Sequence, residues 1–363
     1  RQDQEKAKAQ LEKEVKKWQH EAETNMREAS MTTQKLDRMM ICMKGLGQCV
    51  KGLEAFNGAG TGEFDKLGAQ KGFASVQRSI GFSMDNITFG TIDHDNRGKS
   101  GLRLFETSSK RKLGEGRDCA YRCTEMTSGH EFALKMYKID KKEQRTAIHH
   151  DLYAHLSQVG KHPRIVSYER VIESEATIFV LMELLKGQDL FDVVVNRALT
   201  EASARPLFVH LVEGLQHLHN NGVIHCDIKP ENAMVMGDID AGTAHLKLID
   251  FGCSCFKSYE NDIEGCVVWD QYMPPEHAAN PRLAPEVATD MWRLGCTLYV
   301  MLARRPPFHN DAETKKGREA REQARYCRDP PFPSLSQEAR DLLGALINGD
   351  PAKRPTTADV LQH

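Results

Sequence analysis

Val223-Ile224-His225-Cys226-Asp227-Ile228-Lys229-Pro230-Glu231-Asn232 is followed, after a polar interval, by Leu246-Lys247-Leu248-Ile249-Asp250-Phe251-Gly252. Around these strings the chain changes character. Upstream, Glu131–Ile139 and Thr177–Leu184 read as buried strands. Ala202–Asn221, Ala288–Ala303, Ser336–Ile347 and Thr356–Leu361 carry helical apolar spacing. Strands first and helices after predict an α+β architecture with two lobes. Ahead of the strands, Leu113-Gly114-Glu115-Gly116 offers a Gly-x-Gly turn, which lets backbone N–H groups approach phosphate oxygens. Lys135 stands inside the apolar run Phe132-Ala133-Leu134-Lys135-Met136-Tyr137. A cation there is costly unless it meets an anion or faces outward on a half-exposed strand.

The two opening strings resemble the eukaryotic protein kinases, whose catalytic loop reads H-R-D-L-K-P-E-N and whose metal motif reads D-F-G. Further strings extend the resemblance over residues 105–363. Tyr272-Met273-Pro274-Pro275-Glu276 is similar to A-P-E, and Asp290-Met291-Trp292-Arg293-Leu294-Gly295 to D-x-W-S-L-G. Arg304-Arg305-Pro306-Pro307-Phe308 and Asp350-Pro351-Ala352-Lys353-Arg354-Pro355 are similar to lower-lobe signatures. Glu183-Leu184 with Leu190-Phe191-Asp192, and Leu361-Gln362-His363, are closest to serine/threonine kinases of the calcium/calmodulin-dependent type.

The resemblance implies a two-lobed kinase fold, a β-rich lobe followed by a helical one, using ATP and Mg²⁺ on a protein substrate. It makes Asp227 the base or orienter of the substrate hydroxyl, Lys229 the cation that neutralises the moving γ-phosphoryl, and Asn232 and Asp250 the Mg²⁺ ligands. Gly114 and Gly116 would cover the phosphates, and Lys135 would hold the α/β-phosphates. Met182 would border the adenine, and Glu183 to Leu185 would form the hinge. Asp189 would meet ribose or a basic substrate residue. Asp151 would pair with Lys135, Glu276 with Arg354, and Asp290 would belong to the helix behind the loop. Lys229, with Pro230 and Glu231 after it, favours Ser/Thr over Tyr as acceptor.

Four positions depart from that pattern. Cys119 replaces the third glycine of the phosphate loop, with Asp118 at its tip. The helix facing Lys135 offers Asp151 in place of a glutamate. Cys226 replaces the arginine that precedes the catalytic aspartate and normally meets an activation-segment phosphate, and no threonine lies between Cys253 and Met273. Val268-Trp269 replaces Gly-Thr, removing a hydroxyl that usually bonds the catalytic aspartate. The charged and metal-holding residues are nevertheless all present, which favours an active enzyme; the alternative is a weakly active or inactive kinase-fold scaffold.

Further out, Leu11, Val15, Trp18, Ala22, Asn25, Ala29, Thr32, Leu36, Met39, Met43, Leu46, Val50 and Leu53 alternate in steps of four and three. That spacing predicts a coiled-coil-like helix over residues 1–55, against a partner helix, a larger assembly or its own domain. Residues 56–104 read as a Gly-rich flexible linker and lead-in strands without an assigned fold, and 105–363 as the kinase-like domain. Asp93, Asp95 and Gly98 imitate the start of a calcium loop, but Leu104 stands where its bidentate glutamate is needed, so a polar turn is expected.

In 363 residues, 49 Lys+Arg against 51 Asp+Glu give a net charge of -2, so no basic excess points to nucleic acid. No apolar run is long enough for a transmembrane helix, and no signal-type segment follows Arg1. The ten scattered cysteines form no metal-ligand spacing and read as reduced thiols, intracellular and cytoplasmic by default, with an organelle left open. Cys119, Cys226, Cys253 and Cys255 cluster around the loops of interest, as oxidisable groups or simply as small apolar residues.

Overall fold

The computed structural model describes residues 87–94, 100–107, 109–113, 120–126, 128–138, 159–173, 177–256, 270–280, 282–309, 314–326 and 334–363. The coiled-coil expectation for 1–55 lies outside them, as do Gly114, Gly116, Cys119, Asp151 and Trp269. The chain divides into two compact units, residues 1–141 with 168–184, and 142–167 with 185–363.

The first unit carries an antiparallel sheet of β1 (Ile87–His94), β2 (Ser100–Thr107), β3 (Ala120–Glu125), β4 (Glu131–Lys138), β5 (Tyr168–Glu173) and β6 (Thr177–Glu183). Their spatial order is β1-β2-β3-β4-β6-β5. Strand side chains alternate between faces, so Phe132 and Leu134 on β4 meet Phe179 and Leu181 on β6, with Phe105 and Cys123 from β2 and β3. Phe105 and Phe132 pack edge to face with centroids 5.9 Å apart. The lead-in strands thus have a definite place: β1 pairs with β2 from Ile87↔Thr107 to His94↔Ser100 and forms the edge of this sheet. Asp93 lies within β1, opposite Gly101.

In the second unit come β7 (Gln188–Asp189), α1 (Leu190–Asn196), α2 (Glu201–Asn220), β8 (Val223–Ile224), β9 (Ala233–Met236), β10 (His245–Leu248) and β11 (Cys255–Phe256). They are followed by α3 (Pro275–Ala279), α4 (Val287–Ala303), α5 (Lys315–Glu322), α6 (Gln337–Leu346) and α7 (Thr357–Gln362). α2 starts at a reciprocal Thr200–Ser203 cap and buries Leu207, Leu211, Leu215 and Leu218 along one face. α4 is buried from Thr289 to Leu302, which makes it the helix around which this unit packs. Its Gly295 has a packing reason: a Cβ there would lie 2.7 Å from Leu346 Cβ and 2.9 Å from Ile347 Cγ1, so glycine lets α4 and α6 approach. Trp292 stacks on Phe308 at 5.3 Å.

Two short ladders set up the chemistry. β9 and β10 pair from His245↔Met236 to Leu248↔Ala233, and the Ile249 N–H donates to Asn232 O at 2.9 Å just beyond them. Asn232 and Asp250 therefore emerge at the same end of one hairpin. β11 pairs with β8 through Cys255↔Ile224, bringing the chain after Asp250 back beside the start of the loop.

Candidate active site

The loop between β8 and β9 is held from beneath by α4. Asp290 is fully buried on that helix; its Oδ1 accepts the Cys226 N–H at 2.8 Å and its Oδ2 the His225 N–H at 2.9 Å. His219 Nε2 adds a contact to Oδ2 at 2.8 Å. Burial alone would raise the Asp290 pKa, but the His219 and loop hydrogen bonds outweigh it and hold the carboxyl below its ordinary value. Cys226 has φ 64°, a left-handed conformation that costs a non-glycine residue about 1 kcal/mol or more. The paired hydrogen bonds that Asp290 accepts from the His225 and Cys226 N–H groups maintain it.

The turn directs Asp227 into a polar cluster. Lys229 Nζ lies 2.8 Å from Asp227 Oδ2, and Asn232 Nδ2 donates to the same oxygen at 2.8 Å and to Asp227 O at 2.8 Å. The Asp227 N–H in turn donates to His225 Nδ1 at 3.3 Å, so His225 accepts on that nitrogen while its Nε2 faces Ile249 O at 3.3 Å. This is the neutral tautomer. Complete burial likewise keeps the imidazole pKa below its usual value. For Lys229 burial works against the charge, yet Asp227 overrides it and raises the ammonium pKa, so Lys229 is a cation.

The amide orientation of Asn232 follows from its two donated bonds: Nδ2 is committed to Asp227, which leaves Oδ1 as the atom able to meet a cation. Asp250, at φ 60°, adds a carboxylate whose Oδ1 accepts the Gly252 N–H at 3.2 Å. An amide oxygen and a carboxylate are hard donors suited to Mg²⁺, which usually takes few protein ligands and completes its shell with water and phosphate. Among the described residues no group of three or more His, Cys, Asp or Glu could hold a metal alone.

The remaining residues fall as follows. Lys135 is buried on β4, opposite Val180 of β6, with Nζ 5.3 Å from the Tyr137 ring centroid. Met182 is buried on β6, and Glu183 closes that strand opposite Phe132. Leu185, half-buried, belongs to the second unit. Asp189 caps α1, its Oδ1 accepting the Asp192 N–H at 2.7 Å, and burial raises its pKa. Arg354 grips Glu276 with two bonds of 2.6 and 2.7 Å, donates to Ala288 O and Asn348 O, and lies 5.0 Å from the Trp292 ring centroid.

Arg293 and its partner Asp270 were not singled out from the sequence. Arg293, one turn after Asp290 on α4, is fully buried, and its Nη1 stands 3.4 Å from Asp227 Oδ1 and 3.2 Å from Asp270 Oδ2. The signal was available: a long cation occupies the small-residue position of the D-x-W-S-L-G string. Among the thiols, Cys226 Sγ and Cys255 Sγ are 3.6 Å apart with no disulfide between them. Burial pushes Cys253 up to about 12, so it is no thiolate at neutral pH.

Comparison with known proteins agrees with this geometry. Residues 107–363 match the protein kinase domain. The chain belongs to the protein kinase family. It is 36% identical over 262 residues to calcium-dependent protein kinase 7 of Arabidopsis thaliana, covering 70% of this chain and 47% of that protein. It is 33% identical over 277 residues to calcium/calmodulin-dependent protein kinase type IV of Mus musculus, covering 75% and 56%. Both are distant relatives. The chain spans about half the length of the curated relatives it matches. A crystal structure of the Rad53 kinase domain and SCD2 is similar with a TM-score of 0.54 and 25% identity, covering 67% of this chain and 85% of that one. Within this kinase fold, no helix among the described residues is long and apolar enough to cross a membrane.

Proposed function

We propose that this kinase-family chain transfers the γ-phosphoryl group of ATP to a serine or threonine hydroxyl of a protein. The observation that carries the reading is the Asp227 cluster, in which Lys229 and Asn232 both reach Oδ2 at 2.8 Å. That arrangement suits an aspartate that orients a hydroxyl and accepts its proton while the bond from the γ-phosphorus to the ADP oxygen breaks and a new P–O bond forms. Lys229 supplies a fixed cation beside the transferred group. Asn232 and Asp250 would hold Mg²⁺, whose charge offsets that of the nucleotide phosphates. Lys135, Gly114 and Gly116 would serve the phosphates, and Met182, Glu183 and Leu185 the adenine. Asp189 would meet ribose or a basic substrate residue, and Asp151 would pair with Lys135.

The heptad spacing of residues 1–55 supports a tether to a partner helix or an assembly, and ATP use with free thiols supports an intracellular place of action. The second reading, a non-catalytic scaffold, is favoured by Cys226 and Trp269, where ordinary catalytic supports are replaced. Purified protein separates the two. Mg²⁺-dependent phosphate transfer from ATP is expected for the native chain and lost in Asp250→Asn; equal rates in both would leave the scaffold.

A further inference from the structure

Arg293 is a fully buried guanidinium in the middle of α4, and such a charge is maintained only where anions compensate its desolvation. Its anions are Asp227 Oδ1 at 3.4 Å and Asp270 Oδ2 at 3.2 Å. Asp227 thus has its two oxygens divided, Oδ2 on Lys229 and Asn232 and Oδ1 on Arg293. Asp270 is anchored locally as well, its Oδ1 accepting the Tyr272 N–H at 2.8 Å just before α3. The same helix face therefore grips the loop twice: Asp290 takes its backbone, and Arg293, at the i+3 position, takes its carboxylate.

We propose that Arg293 is a positioning residue that clamps the Asp227 carboxylate to Asp270, doing from α4 what the neutral Cys226 thiol cannot do from the loop. The inference deepens the kinase reading and rests on it for its kinetic consequence. A carboxylate divided in this way presents one fixed orientation to a hydroxyl. The groups around Asp227 are His225, Lys229, Glu231, Asp250, Cys253, Asp270 and Arg293. His225 is neutral and Cys253 is a thiol, so among these described residues Lys229 and Arg293 are the cations set against the carboxylates.

The test compares native protein with Arg293→Met and Arg293→Lys in steady-state phosphate transfer from ATP at neutral pH. Fractions are normalised to folded protein by near-UV circular dichroism. Arg293→Met is expected to lower kcat about tenfold or more at unchanged KM for ATP. Arg293→Lys, which keeps the charge, is expected to restore part of kcat. A loss that merely tracks the folded fraction, with no rescue by lysine, would overturn the proposal. A second arm needs no activity: melting temperatures of Arg293→Met, Asp270→Asn and the double variant. The clamp predicts that the second substitution costs much less on the background of the first, and strict additivity would contradict it. Inactive native protein with a non-additive cycle would remove the kinase reading and leave the clamp.

Discussion

Asp290 and Cys226 are joined by a 2.8 Å hydrogen bond from the Cys226 N–H to the buried carboxylate, and Cys226 is held there at φ 64°. A left-handed cysteine directly before Asp227 thus depends on an acceptor more than sixty positions later in the chain. Asp290→Ala strands the donors of His219, His225 and Cys226 and is expected to cost about 3–5 kcal/mol, read as a lower urea midpoint at unchanged slope. Asp290→Asn keeps one acceptor oxygen and should cost less. A loss below about 1 kcal/mol for alanine would mean that the loop keeps its turn unaided.

The Glu276–Arg354 pair makes a different prediction, because both charges are shielded from water and the guanidinium also holds two carbonyls. Arg354→Met should lower stability by about 3 kcal/mol by leaving Glu276 without its partner. Adding Glu276→Leu should recover part of that loss, since no uncompensated charge then remains. Thermal melting of the three proteins checks the order, and a double variant weaker than the single would contradict it.

His277 gives the pH dependence. It is buried on α3 with Nε2 3.0 Å from Thr289 Oγ1, and burial lowers its pKa to about 4. The folded protein keeps the ring neutral while the unfolded chain takes up a proton near pH 6.5. Stability is therefore full above pH 6.5, declines as pH falls towards 4 and is flat below it, for a change of roughly 3 kcal/mol. Denaturation midpoints between pH 7 and 4 should show a shallower slope in His277→Gln; an identical slope would assign the dependence to other groups.

Cys226 also bears on activation. With a buried thiol in place of an arginine, position 226 offers no cation to an activation-segment phosphate. Treatment with a broad-specificity phosphatase is expected to leave turnover within about twofold. A tenfold loss regained on rephosphorylation would contradict this.

The kinase fold was legible because its chemistry is local in sequence: the loop from His225 to Asn232 and the Asp250-Phe251-Gly252 turn are contiguous strings. Apolar spacing brought the helix starts to within two residues, and the structure adds the caps: Thr200, Ser336 and Thr356 each cap the helix that follows with their own hydroxyls. The place of β1 was not, because its alternation fixes a strand but not the neighbour it pairs with. Nor was the contact of Arg293 with Asp227 and Asp270, which depends on how α4 packs beneath the loop. The thiols show the same limit: Cys253 and Cys255 are neighbours in sequence, yet Cys255 is the one that meets Cys226, through the β8–β11 pairing.

The most direct measurement is transfer of labelled γ-phosphate from ATP and Mg²⁺ to a serine/threonine peptide library, by native protein and by Asp227→Asn. The native chain should label hydroxyl peptides, and the variant should lose at least about a hundredfold in kcat while still binding ATP. Equal labelling by both, or none by a native chain that is folded and ATP-bound, would contradict the account.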